Sequence, residues 1–488
     1  MVFRCSVFVP MFCSATRAAL DKKRAGIRLR NGAQICGSNP PISLIFCVGN
    51  RTSISFRGHI TMVNKLDLRQ EMKKMLRVKT AILLRSPGDS LADIVASDRE
   101  AFSGIRVLFA SDEGGVPLQA LGRSDNPNVP VAPLFSGKGI FAFSDAIERQ
   151  MRSGSAPLEF PFFSLLDTNF LTELPGFFRH EKSKHREKVR ATLQFIEDQS
   201  GRGFDWTFAT LENLREVVKP NNPWPYQKVA AAKMFDAMMH LPEVRDRVLK
   251  GHAEQIKDYI PAAEEMWDAF LTNGEAWACI QRRDMMQSII LRAMLECWNG
   301  QGVDDGIRCL VDFCLDNFDL MPLKELYFGW KALSGFADKQ SRMPIFDEPA
   351  LRNPNGDSND RISALAWDLY MFRHCETLMT EKKGNQFMIP VVTTLDDGLL
   401  KAIKSCPLRA LVIHDEARKV EAIFDDEMDF ANCLDRALSD ETKARINNPE
   451  RMVRPKRISK HDLSYLINSL ESEVKKAANA RSQPGSHH

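Results

Sequence analysis

Four acidic residues lie at positions where carboxylates could do chemistry together. Asp167 ends an apolar stretch of strand length, and Asp396 follows a second such stretch. Glu212 lies in a segment typical of a helix, and Asp368 interrupts an otherwise apolar helix face. None of these acids has a clear basic partner in the sequence. A bound cation would therefore offset the cost of burying several of them together.

The predicted strands explain how two of these acids could meet. Phe162–Leu166 predicts a buried strand that ends at Asp167, and Met388–Thr394 predicts another just before Asp396. Alternating strands and helices are typical of a parallel sheet, in which ligands bind beyond the carboxyl ends of the strands. Clustered carboxylates at that edge suit Mg²⁺ or Mn²⁺, which can activate water and stabilise displacement at phosphorus.

The same segments resemble the PIN-like nuclease superfamily. Leu165–Leu171 looks like its opening, an apolar strand followed by Asp-Thr-Asn. Thr393–Leu399 resembles its late motif, in which a Thr, one further residue and an Asp precede a helix. Leu408–Ile413 resembles its closing strand. The resemblance covers residues 161–215 and 358–415.

The resemblance implies a divalent-metal-dependent endonuclease that hydrolyses phosphodiester bonds, usually in RNA. It implies Asp167, Glu212, Asp368 and Asp396 as catalytic metal ligands, Mg²⁺ or Mn²⁺ as the cofactor, and water as the nucleophile. The chain departs from the family by a long helical stretch between the second and third acids. Asp360 begins the same predicted helix as Asp368, so it is the alternative third acid.

Other interpretations remain open for these residues. Asp167, Asp396 and Asp360 are also suitable helix caps. Glu212 could be one charge on a solvated helix face. The substrate could be DNA instead of RNA. In a different class of function, the long helices bind another protein, and a degenerate PIN-like core is only a non-catalytic scaffold.

Two basic clusters could contact a polyanion. Such clusters bind phosphates without regard to sequence, and their binding weakens with salt. A solvated helix face is the alternative for each cluster. The predicted nucleic-acid-binding residues of the first cluster are Lys182, Lys184, Arg186 and Lys188. The second cluster contains Arg451, Arg454, Lys456, Arg457 and Lys460.

The expected fold class is α/β, a PIN-like parallel sheet flanked by helices, with a large all-helical insertion at about 220–345 and a small N-terminal α/β region. A chain of 488 residues usually holds two or three domains. The expected divisions are an extension at 1–61, an α/β region of unknown role at 62–155, the nuclease domain at 156–420 and a basic helical tail at 421–488.

Periodicity also predicts individual elements. Val78–Arg85 and Ile105–Ala110 have the length and composition of strands, and His180–Gln199 has the pattern of a charged amphipathic helix. Asp360 is a suitable N-cap for a helix running through Met379.

The composition separates the first 61 residues from the remainder. They contain nine Arg or Lys and one acid, so we expect an over-extended start before Met62 or an organellar leader. The odd total of 11 cysteines argues against a complete disulfide framework and favours reduced thiols in the cytoplasm. No apolar run of about 18 residues is present, so no membrane span is expected.

Overall fold

The computed structural model describes residues 65–85, 90–117, 124, 126–153, 162–198, 203–241, 243, 245–246, 255–380, 382–383, 386–415, 419–448 and 460–482. The expected extension at 1–61, Met62 and the second basic cluster up to residue 459 lie outside these described residues.

The described strands form two small sheets and a two-stranded ribbon. The strands are β1 (Ile105–Ser111), β2 (Val116–Pro117), β3 (Val131–Pro133), β4 (Gly139–Phe143), β5 (Phe162–Leu166), β6 (Phe204–Asp205), β7 (Lys382–Lys383), β8 (Gln386–Phe387), β9 (Ile389–Thr393), β10 (Leu408–His414) and β11 (Lys419–Phe424). The first sheet has the order β11-β10-β1-β4-β2 and is antiparallel. The second has the order β3-β9-β5-β6.

Helices make up most of the remaining described residues. They are α1 (Lys65–Leu83), α2 (Leu91–Ser97), α3 (Arg99–Phe102), α4 (Asp145–Arg152), α5 (Thr168–Phe178), α6 (Arg186–Asp198), α7 (Thr207–Asn213), α8 (Trp224–His240), α9 (Gln255–Asp258), α10 (Ile260–Thr272), α11 (Gly274–Trp298), α12 (Val303–Phe318), α13 (Leu323–Ala337), α14 (Pro349–Arg352), α15 (Ser358–Thr380), α16 (Asp397–Ser405), α17 (Glu427–Ala437), α18 (Asp440–Ile446) and α19 (Lys460–Ser482). The described residues between β6 and β7 contain helices and no strand.

The second sheet contains three parallel strands, β6, β5 and β9, with β3 added antiparallel at the edge. All residues of β5 and β9 are buried, as expected for parallel strands covered on both faces. Leu166 pairs with Thr393, and the next backbone N–H, that of Asp167, donates to the Thr393 carbonyl at 3.0 Å. The carboxyl ends of β5 and β9 therefore lie side by side, and the predicted α/β class with parallel strands is confirmed.

The parallel sheet lies between two hydrophobic cores. One core contains Leu165 of β5 together with residues of the long helices α11, α13 and α15. The other contains Leu166 of β5 together with residues of α5–α8 and α10. Trp367 of α15 packs against both cores. Trp367 therefore places the middle of α15 at the junction between the two cores.

The predicted strand at Val78–Arg85 is wrong, because most of this segment belongs to helix α1. Met75, Val78 and Ile82 are buried, at the three- and four-residue spacing of one helix face. They pack in a small core with the first sheet. The run from Val78 alone resembles a strand, because the buried helix face to which it belongs begins earlier in the chain, at Met75.

The expected role of Leu408–Ile413 as the closing strand of the parallel sheet is also wrong. This segment is a strand, but it pairs antiparallel with β1 and β11 in the first sheet. Strands from 62–155 consequently share one sheet with strands near 410–424, and β3 joins the other sheet. The proposed N-terminal region therefore forms no sheet of its own among the described residues.

Three predicted limits need correction. The charged helix begins at Arg186 instead of His180, because His180 has a φ of 58°, a left-handed backbone conformation that an α-helix does not contain. Helix α15 begins at Ser358, so Asp360 lies in its first turn and is not its cap. The segment 421–488 begins in β11, and α19 buries Leu463, Ile467, Leu470 and Val474 in the larger core.

Candidate carboxylate site

Asp167 lies directly after β5 and before α5, with 3% of its surface exposed. Its carboxylate accepts a hydrogen bond from the Thr394 hydroxyl at 2.7 Å. Burial raises the pKa of Asp167, and the negative charge of Asp396 adds to this effect, although hydrogen bonds oppose it. A carboxylate held in this way is costly to ionise unless a cation compensates it.

Thr394 joins the ends of the two central strands. Its hydroxyl donates to Asp167 and accepts from the backbone N–H of Asp396 at 3.0 Å. Asp396 caps α16, because its carboxylate accepts from the backbone N–H groups of Gly398 and Leu399 at 2.7 and 3.2 Å. The capping interpretation of Asp396 is therefore confirmed, and the cap holds this acid next to Asp167.

Helix α7 brings Glu212 towards the same strand ends. Phe208 packs its ring against those of Trp367 and His374 on α15, at centroid distances of 5.8 and 5.4 Å. Glu212 lies one turn after Phe208 and therefore on the same side of the helix. Its carboxylate accepts a hydrogen bond from the Thr168 hydroxyl at 2.5 Å. Glu212 is partly buried, so it is more than one charge on a solvated face.

Asp368 lies in the middle of α15, next to Trp367. The α15 turn before it is fixed by Arg283 of α11, whose guanidinium donates to the Ser363 carbonyl and hydroxyl, both at 2.6 Å. The same guanidinium lies over the Trp367 ring, 5.1 Å from its centroid. Asp368 itself is partly buried.

The four acids form one electrostatic group, which we name the carboxylate cluster: Asp167, Glu212, Asp368 and Asp396. Burial raises the pKa of Asp368 well above its ordinary value, and the charges of the other three members raise it further. Burial and then the Asp167 charge raise the pKa of Glu212 to about 7. The ionised cluster is therefore self-repelling.

The cluster is not a preformed metal cage. Within the described ranges, no group of three His, Cys, Asp or Glu side chains is arranged so that it could hold a metal ion. The four carboxylates interact electrostatically but do not converge on one coordination point. Binding a single ion through three of them would require the side chains to move closer together.

Two cations from the long helical stretch act on the cluster. Lys228 of α8 and Arg283 of α11 both lower the pKa of Glu212. Arg283 is 3% exposed and donates to Asp284 at 3.2 Å as well as to Ser363. Lys228 donates to the side-chain carbonyl of Asn213 at 3.2 Å. Neither cation is part of a segment that carries the resemblance, so local sequence patterns gave no signal for Lys228 or Arg283.

Asp360, the alternative third acid, is exposed in the first turn of α15. Its charge contributes to raising the pKa of Glu471, on α19. The charges of Asp167, Glu212 and Asp396 all raise the pKa of Asp368. Asp368, and not Asp360, is therefore the third acid of the carboxylate cluster.

The first basic cluster lies partly beside the carboxylate cluster. Lys188 of α6 forms an ion pair with Asp397 at 3.4 Å, one residue after Asp396. Lys182 and Lys184, in the loop before α6, are exposed. These two lysines are accessible to a polyanion.

Arg186 has a local structural role. Its guanidinium donates to the backbone carbonyls of Phe177 and Glu181, at 3.2 and 3.3 Å, and lies over the Phe177 ring. It therefore stabilises the turn between α5 and α6.

The hydroxyl groups that orient the acids could have been predicted from the sequence. Thr168 and Thr394 lie inside the two segments that carry the resemblance. Asn213 follows Glu212 directly, and its amide donates to the Thr168 hydroxyl at 3.4 Å. Polar residues within two positions of Asp167, Glu212 and Asp396 were the available signal for these supporting contacts.

Comparison with known proteins gives no relative for this chain. It matches no protein family, no curated protein and no solved structure. Among the described helices, none has the length and apolar character needed to cross a membrane.

Proposed function

We propose that the chain is a divalent-metal-dependent endonuclease, with a PIN-like arrangement around the parallel sheet and RNA as its substrate. The observation that carries the proposal is the meeting of Asp167 and Asp396 at the carboxyl ends of β5 and β9, where the Thr394 hydroxyl contacts both residues. Glu212 and Asp368 approach this pair from α7 and α15, and the charges of Asp167 and Glu212 act on Asp368. Ligands of open α/β sheets bind at this edge. Neighbouring charges raise the pKa of Asp167, Glu212 and Asp368, and such a group of acids is costly for a structural core and useful for a cation site.

The residue types fit an oxygen-preferring divalent cation. All four members of the carboxylate cluster offer carboxylate oxygens, which suit Mg²⁺ and Mn²⁺. Asp167, Glu212, Asp368 and Asp396 would hold the ion once their side chains move closer together than they lie in this structure. When bound, such an ion lowers the pKa of water and stabilises charge at a phosphoryl group. Its positive charge would also remove the repulsion that makes the ionised cluster unfavourable.

The surrounding residues hold the acids in position. Thr394 orients Asp167 and, through the Asp396 backbone, fixes the start of α16. Thr168 orients Glu212. Both contacts come from hydroxyl donors, so they favour the ionised carboxylates that metal binding requires.

The test compares Asp167→Asn and Asp396→Asn with the parent in cleavage of a labelled single-stranded RNA in Mn²⁺. Each change keeps the side-chain shape but removes a charge. We expect activity to fall by several powers of ten, since metal-derived stabilisation is worth several kcal/mol. Mn²⁺ should also raise the melting temperature of the parent more than that of either variant, because binding stabilises the native state.

Asp360→Asn is the matched control, because it makes the same chemical change at an exposed position of α15. It should retain both the cleavage rate and the Mn²⁺ response of the parent. If both cluster variants keep full cleavage and the parent's rise in melting temperature with Mn²⁺, the proposal of a nuclease is wrong. The helical protein-interaction scaffold would then be the better explanation.

A further inference from the structure

Helix α8 brings a lysine, Lys228, to the edge of the carboxylate cluster. Lys228 of α8 donates to the Asn213 side-chain carbonyl at 3.2 Å. The Asn213 amide donates to the Thr168 hydroxyl at 3.4 Å, and that hydroxyl donates to Glu212. A chain of hydrogen bonds therefore links the Lys228 ammonium to the cluster.

Lys228 and Arg283 differ in burial and in how many of their N–H donors have hydrogen-bond partners. Arg283 is buried, and its guanidinium is bonded to Asp284 and Ser363. Lys228 is partly exposed, and within the described part of the chain its one hydrogen bond goes to a neutral amide. An ammonium group has three N–H donors. Lys228 therefore retains donor capacity for a ligand beside the acids.

Holding Lys228 in this position has a cost. Burial lowers the pKa of Lys228, although the charges of Glu212 and Glu216 oppose this effect. Neither glutamate forms an ion pair with it within 4.0 Å in the described residues. The charge is thus placed near the cluster without being neutralised by direct contact.

We propose that Lys228 binds a phosphate oxygen of the nucleic-acid substrate beside the carboxylate cluster. This inference rests on the proposed function and gives the long helical stretch a substrate-binding role. A phosphate oxygen would accept the remaining ammonium N–H groups in charge-assisted hydrogen bonds. The positive charge also offsets repulsion between the incoming phosphate and the acids.

The test measures kcat and KM separately for cleavage of a labelled single-stranded RNA in Mn²⁺, at several salt concentrations. Lys228→Ala should raise KM about tenfold or more, the effect of losing one charge-assisted hydrogen bond. The slope of log KM against log salt should fall by about 0.7, because one fewer phosphate charge is neutralised. Lys228→Arg should restore most of the lost affinity.

Lys219→Ala is the matched control. Lys219 lies between α7 and α8, and its ammonium pairs with Glu216 at 2.7 Å in an exposed ion pair. Removing it should leave KM and the salt slope close to those of the parent. Melting curves of all variants separate a binding defect from a folding defect.

The outcomes distinguish the two proposals. If Asp167→Asn abolishes cleavage but Lys228→Ala keeps the parent's KM and salt slope, the lysine assignment is wrong and the nuclease stands. If Lys228→Ala lowers the melting temperature and kcat with an unchanged salt slope, Lys228 only compensates Glu212, and the assignment is again wrong. A parent that cleaves no RNA overturns both.

Discussion

Replacing Glu212 by Gln should stabilise the metal-free protein, and the gain should depend on pH. Glu212 has its pKa raised to about 7 from an ordinary value of 4.5, first by burial and then by the Asp167 charge. The native carboxyl thus keeps its proton up to about pH 7, whereas the unfolded chain releases it near pH 4.5. Stability from this group is present below pH 4.5 and is lost as the pH rises through 7.

The size of the gain follows from the two pKa values. Raising a pKa from 4.5 to about 7 corresponds to roughly 3 kcal/mol of lost stability once the group is ionised. Gln cannot ionise, and its side-chain oxygen can still accept from Thr168. The free energy of unfolding of Glu212→Gln should therefore exceed that of the parent by about 3 kcal/mol at pH 8. At pH 4.5 the difference should be less than about 0.5 kcal/mol.

The assay is unfolding without divalent ions, by denaturant and by heat, at pH 4.5 and pH 8. For a chain of 488 residues, about 3 kcal/mol corresponds to a rise of about 3 °C in melting temperature. Glu216→Gln is the control, because Glu216 pairs with exposed Lys219 and its replacement should change stability by less than about 0.5 kcal/mol. An equal gain in the free energy of unfolding at both pH values, or a loss at pH 8, would refute the interpretation that Glu212 is buried and repelled by neighbouring charge.

Two further predictions concern the cations around the site. The double change Lys182→Ala and Lys184→Ala should weaken RNA binding equally for all RNA sequences and reduce its dependence on salt, as measured by fluorescence anisotropy. An unchanged slope of log Kd against log salt would show that these exposed lysines do not contact the RNA. Arg283→Met should lower the free energy of unfolding by about 3 kcal/mol, because among the described residues it leaves the buried Asp284 with the Arg215 ion pair alone. A loss below about 1 kcal/mol in denaturant unfolding would contradict a structural role for Arg283.

The sequence by itself located the strand ends of the candidate site. Phe162–Leu166 and the stretch before Asp396 are largely apolar runs, broken only by Ser164 and by threonines, and a strand buried on both faces favours that pattern. The acids that follow them are local features of the chain. The helix carrying Asp368 was also visible, because its apolar spacing continues over many turns.

Strand pairing could not be obtained from the same local patterns. Leu408–Ile413 has the composition of a buried strand in either sheet, and only its antiparallel pairing with β1 and β11 decided between them. Val78–Arg85 is too short to separate a buried strand from part of a helix face. Packing of Val78 and Ile82 against the first sheet settled that choice.

The tertiary structure alone decided how the acids are supported. The Thr394 hydroxyl meets Asp167 across 227 residues of sequence, and Arg283 reaches the helix of Asp368 from α11. Such contacts depend on the packing of whole elements, which residue spacing does not encode. The sequence determined which residues are acidic and where strands end, whereas packing determined that their charges meet beside a partly exposed lysine, Lys228.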